Sequence, residues 1–400
     1  MTPDARARAA RARADAPAPA PGNPRAAAHG ACDACLRRSH VIATLAGRIE
    51  GLLQRPSGRI GNLLALPSEQ LIEALVPSER IGEVAQAVGA FDPADAHEAA
   101  ADAFLDVLCP HAAAYPDALR GLADAPPVLW VRGGSDRLVE LLDGPGVAVV
   151  GSRRPSAYGI EVAEELSRGL SAAGVTVVSG LALGIDAAAH RGALRSPAPR
   201  TIAVLGGGAD VVYPRMNRRI YDQIAGAGVI LSESPPGRRP YRWTFPARNR
   251  IMAAITAMTV VVEAADPSGS LITASFAAEL GRGVAAVPGR VTASNAAGSN
   301  RLLRDGAAVV RHAADALDEL FGVGGADRLE AATAQIEQLD GDERLVLERV
   351  EAGDDPASIA AETSLDPARV RVILGLLEAR GLIRRSGIGS YERAAAGQHP

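Results

Sequence analysis

The stretch "VAVVGSRRPSAYGIEVAEELSRGLSAAG", residues 147–174, passes from an apolar run through a Gly/Pro turn into apolar residues at three-to-four spacing. An unbroken apolar run marks a strand covered on both faces, and the spacing that follows marks a helix with one buried stripe. "VTVVSGLALGIDAAAHRGAL" (175–194) repeats the order. It recurs in "TIAVLGGGADVVYPRMNRRIYDQIAGAG" (201–228), "GVILSESPPG" (228–237), "TAMTVVVEAADPSGSLITASFAAELGRG" (256–283) and "VAAVPG" (284–289), after a first strand-like "PPVLWVRG" (126–133). Short Val/Ile runs alternating with amphipathic helices predict an α/β domain, a parallel sheet wound with helices on both faces, over about 111–322.

The flanks read differently. Residues 1–28 are Pro/Ala/Arg-rich, without the contiguous apolar core of a secretory signal, and are expected to be a disordered tail. Residues 29–110 are acidic, with apolar residues at helical spacing and Ser or Asp at cap positions, predicting a small helical domain with its last helix over "DPADAHEAAADAFLDVL" (92–108). A polar linker is expected over 323–341. Residues 342–395 then read as three helices and a Gly-turn hairpin, "LIRRSGIGSYER", the order of a winged helix.

All 42 basic residues are arginine, and the net charge of −4 is unevenly distributed. Residues 151–311 carry 19 arginines against 11 acids, whereas 41–150 carry 7 against 15 and 312–400 carry 9 against 17. A basic middle between acidic flanks argues for one localised polyanion site, built from guanidinium forks that suit phosphate. No apolar run reaches the ~20 residues of a membrane-spanning helix, so a cytoplasmic protein is expected. Of the three cysteines, Cys32 and Cys35 form a lone CxxC. With His29 and His40 as the nearby histidines the spacing matches no standard zinc module, and the pair is read as helix-start cysteines.

Four Gly-rich turns lead into helix starts, where free N–H groups and the dipole favour an anion: 150–159, 179–186, 206–214 and 265–274. None has the spacing of a dinucleotide fingerprint. The candidate anion-binding residues are Ser152, Arg153 and Arg154 in the first turn and Ser179, Gly180 and Gly184 in the second. Arg215 and Asn217 follow Tyr213-Pro214, Arg248, Asn249 and Arg250 sit in "FPARNRIMA", and Ser270 lies in the fourth turn. Arg218, Arg219, Arg238 and Arg239 are read as solvated charges, and "YRWTFPARNR" (241–250) as a stacking loop with interleaved aromatics. No GxSxG elbow or clustered metal-ligand set is apparent in this segment. Asp186 and His190 share a helix face, and Asp186 falls in a first turn where the dipole stabilises an acid, so the pair is read as structural support.

In order, "VAVVGSRRPSAYG", "VVSGLALGIDAAAH", "TIAVLGGGADVVYP", "FPARNRIMA", "VVVEAADPSGSLITA", "AVPG" and "GSNRLLRDGA" resemble the DNA-processing protein A family (DprA, also called Smf), densely over about 110–315. The resemblance implies a Rossmann-like core that binds single-stranded DNA, with a SAM-like helical domain before it and a winged helix after. It also implies loading of the RecA recombinase in natural transformation, homodimerisation through the core, no catalysis and no cofactor. Carried over, the DNA-contacting positions are Ser152, Arg153, Ser179, Gly180, Arg215 and Arg248 to Arg250. The winged-helix candidates for contact are Arg369, Arg371, Arg380, Arg384 and Arg385, but that segment's acidity predicts little DNA affinity and a role in partner contacts. Two other readings stand. One is a nucleoside-monophosphate phosphoribohydrolase on a related fold, in which "PSGSLITASFAAE" with Glu279 would replace a "PGGxGTxxE" loop. The other is a winged-helix regulator with a ligand-sensing α/β domain.

Overall fold

The computed structural model describes residues 30–53, 60–325, 339–379, 382–387 and 390–393. The expected disordered tail, residues 326–338 of the expected linker, and Arg380 lie outside the described residues.

A nine-stranded sheet forms the centre: β1 (Asp106–Leu108), β2 (Leu129–Arg132), β3 (Gly146–Val150), β4 (Thr176–Ser179), β5 (Thr201–Leu205), β6 (Val229–Ser232), β7 (Met258–Val261), β8 (Gly283–Ala286) and β9 (Ala308–Val309). Their order is β1-β2-β6-β5-β4-β3-β7-β8-β9. The strands from β6 to β9 pair in parallel, while β1 and β2 run antiparallel along one edge. This is the wound α/β architecture that the strand–turn–helix alternation predicts, and the Rossmann-like core that the family resemblance implies. In β3 to β7 every residue is buried, because both faces are covered. Val147, Val149 and Val177 enter the core under the helices Ala157–Ala172, Ile185–Leu194 and Ala313–Phe321, whereas Val150 and Val178 enter the core on the opposite face. The two-residue period separates the faces.

The winding positions the site. From β3 the chain builds outward through β4, β5 and β6, then crosses back to β7 on the other side of β3. The helices after β3 and β7 thus diverge and leave a crevice at the carboxyl ends of those two strands.

One expected helix is shorter than its pattern. The helix Pro93–Asp102 stops, Phe104 takes φ +55°, and residues 106–108 pair with β2. Val107 packs into one core and Leu108 into another, an alternation that a strand satisfies and a helix does not. The sheet therefore begins at Asp106, ahead of the expected domain start at 111. Of the other helices in this region, Asp33–Leu53 and Ser68–Leu75 enclose a core that takes in Trp243, whose Nε1 donates to Ala46 O at 3.0 Å.

Toward the C-terminus, helices Gly341–Glu351, Pro356–Thr363 and Pro367–Ala379 and strands β10 (Ile383–Gly387) and β11 (Ser390–Arg393) share a separate core. Asp340 and Glu343 cap the first helix reciprocally as a capping box. Among the described residues no helix is long and apolar enough to cross a membrane.

Candidate functional site

A cleft of about 700 Å³ opens at the switch between β3 and β7. Its walls include Ser152, Arg153, Arg154, Arg248, Asn249 and Ser270, which sequence reasoning named, and Arg242, Tyr213 and Phe245 beside them. Three helices begin at this end of the sheet. Ala157–Ala172 is capped by Ser156, which accepts from Gly159 N at 3.1 Å; Gly269–Glu279 is capped by Ser268; and Ile185–Leu194 starts after Gly184. The helix dipoles, with the first-turn N–H groups that these caps do not take up, make this end of the sheet attractive to anions.

Close backbone approach explains the glycines. Gly184 has φ +80°, and a Cβ there would stand 2.3 Å from Ser152 O. A Cβ on Gly180 would lie 2.0 Å from the Arg248 Cζ. Both glycines, with Ser179 donating to Val149 O at 2.7 Å and Asn217 donating to Leu181 O at 2.9 Å, hold the second turn in place. These residues support the wall from behind. The first turn is tied to β7 by Glu263, which accepts from Ser156 N at 2.9 Å, from Ser156 Oγ at 2.5 Å and from Asn295 Nδ2 at 3.0 Å. Sequence reasoning missed this carboxylate; its position at a strand end was the available signal.

The arginines divide into two kinds. Arg153, Arg154 and Arg242 are exposed on the cleft wall. Arg248 is buried at its floor, where its guanidinium donates to Gly180 O, Val204 O and, at 3.1 Å, Asn249 Oδ1, and pairs with Asp186 at 3.6 Å. Burial pulls the Arg248 pKa down and pushes that of Asp186 up, each opposed by the charge of the other. Most of the Arg248 donors are consumed, so it shapes the floor and adds a partly neutralised charge. Arg250, two residues along the same helix, points elsewhere: it pairs with Asp124 at 2.9 Å and Glu233 at 2.7 Å beneath the surface, outside the cleft wall. Arg215 is exposed but also outside that wall.

Aromatic surface is present at one lip. The Tyr213 and Phe245 ring centroids are 5.7 Å apart, and the Arg153 guanidinium lies 5.1 Å over the Phe245 ring. Trp243, read from sequence as part of a stacking loop, is instead buried against the N-terminal helices.

His190 is enclosed, its Nδ1 2.8 Å from Thr201 Oγ1. That hydroxyl already donates to Val177 O at 3.0 Å, so it accepts from His190 and the imidazole proton sits on Nδ1. Burial, then the Arg248 charge, drives the His190 pKa down to about 3. Such a ring shuttles no protons at neutral pH. Glu279 closes its helix at the end opposite the cleft, about 15 Å from the first turn at 1.5 Å per residue.

Sequence relatives, a solved structure and a family model point to one family. A Mycobacterium tuberculosis relative of the DprA type is 41% identical over 284 residues, 70% of this chain and 72% of that protein. The DNA processing protein DprA of Streptococcus pneumoniae is 41% identical over 205 residues, 51% of this chain and 71% of its own length. The X-ray structure of the Streptococcus pneumoniae protein matches with a TM-score of 0.56 and 34% identity, over 72% of this chain and 96% of that one. The sequence model of DNA recombination-mediator protein A matches residues 106–321, from the first residue of β1 to the end of the helix Ala313–Phe321. This chain belongs to the DNA recombination-mediator protein A family.

Proposed function

We propose that the switch-point cleft holds single-stranded DNA, and that the chain is a non-catalytic binding protein that loads RecA onto the strand during natural transformation. One observation carries the reading: three exposed arginines, helix N-termini and the Tyr213–Phe245 lip converge on one crevice. Phosphates need the first two and unstacked bases need the third. Family membership supports a DNA ligand. The family's description as a recombination mediator supports the recombinase as partner. The place of action is the cytoplasm, and the working form is a homodimer through the sheet domain, which light scattering of the purified chain tests.

The hydrolase reading lacks support at the site. The cleft wall has one carboxylate, Asp186, which Arg248 occupies, and Glu279 is distant. Nothing on the wall pairs a nucleophile with a free base. We read residues 342–395 as a winged helix that contacts partners. Arg369 lies 3.6 Å from Asp340 and 3.5 Å from Asp342, and Arg385 lies 3.3 Å from Glu378, so these cations are matched within their own unit.

Fluorescence anisotropy of a labelled oligo-dT strand, competed with duplex of the same length and with nucleoside monophosphate, tests the assignment. Strand binding that duplex and monophosphate displace poorly is expected. Turnover of the monophosphate would overturn it in favour of the hydrolase.

A further inference from the structure

Far from the cleft, the fold brings together four side chains that the sequence keeps apart. Cys32 immediately precedes the helix Asp33–Leu53 and Cys35 lies in its first turn, while Cys109 directly follows β1 and His111 comes two residues later. Their three sulfurs and the His111 ring nitrogen all lie within 4.8 Å of one another. The spacing hides this, since the second half is a Cys-x-His that begins 77 residues after Cys32. Of the histidines nearest the CxxC in sequence, His29 lies outside the described residues, and His40 stacks on Phe91 with centroids 4.2 Å apart. The reading of Cys32 and Cys35 as plain helix-start cysteines is therefore incomplete.

The distances are specific. His111 Nδ1 stands 3.4 Å from Cys32 Sγ, 3.5 Å from Cys35 Sγ and 3.6 Å from Cys109 Sγ. A tetrahedral ion with Zn–S of about 2.3 Å and Zn–N of about 2.0–2.1 Å sets sulfur and nitrogen about 3.5 Å apart. Without an ion the arrangement is poorly satisfied, because one ring nitrogen offers either a single proton or a single lone pair to three weak sulfur partners. Cys32 N–H points at Cys109 Sγ at 3.4 Å, an outer contact that suits a thiolate ligand.

We propose that Cys32, Cys35, Cys109 and His111 bind a structural zinc ion. Three soft thiolates and one imidazole select zinc over hard cations, and four protein ligands close the coordination shell, leaving no open position for catalysis. The ion joins the first helix of the N-terminal segment to the connection leaving β1. It reinforces an apolar cluster in which Ala31, Cys35 and Leu36 already meet Val107, Cys109 and Trp130. Cys32 and His111 are exposed, which gives the ion a path in.

The test uses the full-length chain, without an affinity tag that binds metal, purified under reducing conditions. Elemental analysis is expected to find about one zinc per chain. Cobalt added to chelator-stripped protein is expected to give thiolate charge-transfer bands and the intense visible bands of a tetrahedral site. Cys109→Ser and His111→Ala should each abolish stoichiometric zinc, and stripping should lower the melting temperature of the wild type but not of His111→Ala. If a variant fails to fold, the wild-type cobalt spectrum still decides. Absence of metal with no tetrahedral cobalt spectrum, or a mass showing a disulfide among the three cysteines in freshly reduced and re-exposed protein that takes up no zinc, would overturn the proposal.

Discussion

Acidification tests whether His190 is a structural imidazole. The folded ring has a pKa of about 3, because burial and the Arg248 charge exclude the imidazolium. In the unfolded chain an imidazole titrates near ~6.5. Between those values the unfolded state binds a proton that the folded state refuses, so stability falls as the pH falls. The slope is about 1.4 kcal/mol per pH unit, which amounts to about 2 kcal/mol lost between neutrality and pH ~5. Above about pH 7 the ring is neutral in both states and contributes no slope. His190→Gln keeps a donor near Thr201 but does not titrate. Urea denaturation of both proteins across this range isolates the site, since all other groups contribute to both curves. The variant should be less stable near neutrality and lose less on acidification. Parallel curves, or an NMR midpoint for His190 near the unperturbed value, would refute the reasoning and reopen an acid–base role.

Further outcomes follow from the same contacts. Arg250→Ala leaves the part-buried Asp124 and Glu233 without their buried cation, so about 3 kcal/mol of stability, the low end for a broken buried pair, should be lost in chemical denaturation, with strand affinity of the folded protein nearly unchanged; a loss under ~1 kcal/mol would contradict a stabilising network around Arg250. Gly180→Ala drives a methyl into the Arg248 guanidinium and should cost about 1–3 kcal/mol by the same assay. Phe245→Leu should weaken strand binding by about 1–3 kcal/mol while leaving its salt dependence intact, as expected for a lost stacking surface. Deleting residues 335–400 should leave strand affinity within a few-fold, and a hundredfold loss would show that the C-terminal unit carries binding.

The main architecture was legible because its signals are local. Apolar runs, glycine turns and helical spacing lie within about 30 residues of one another, and four such units in a row leave few alternatives to a wound parallel sheet. Turn geometry was legible at Gly180 and Gly184, whose missing side chains admit Arg248 and Ser152 O, although both glycines stand behind the cleft wall and not on it. It was less legible where direction matters. Arg248 and Arg250 read alike in "RNR", yet residues two apart on a helix face different ways, and only Arg248 meets the cleft. Arg242 went unnamed beside Trp243, because nothing in their order says which of the two turns inward. The cysteine–histidine cluster was hidden by chain distance, and β1 by an apolar count that fits helix and strand alike until Val107 and Leu108 are seen to enter opposite cores.

The salt dependence of oligo-dT binding tests the central claim most directly. Each phosphate neutralised on a single strand contributes about −0.7 to the slope of log K against log salt. Arg153, Arg154 and Arg242 together therefore predict a slope of about −2, and Arg153→Ala/Arg154→Ala should bring it to about −0.7. A strand that binds the double variant with the wild-type slope would contradict a phosphate grip in this cleft.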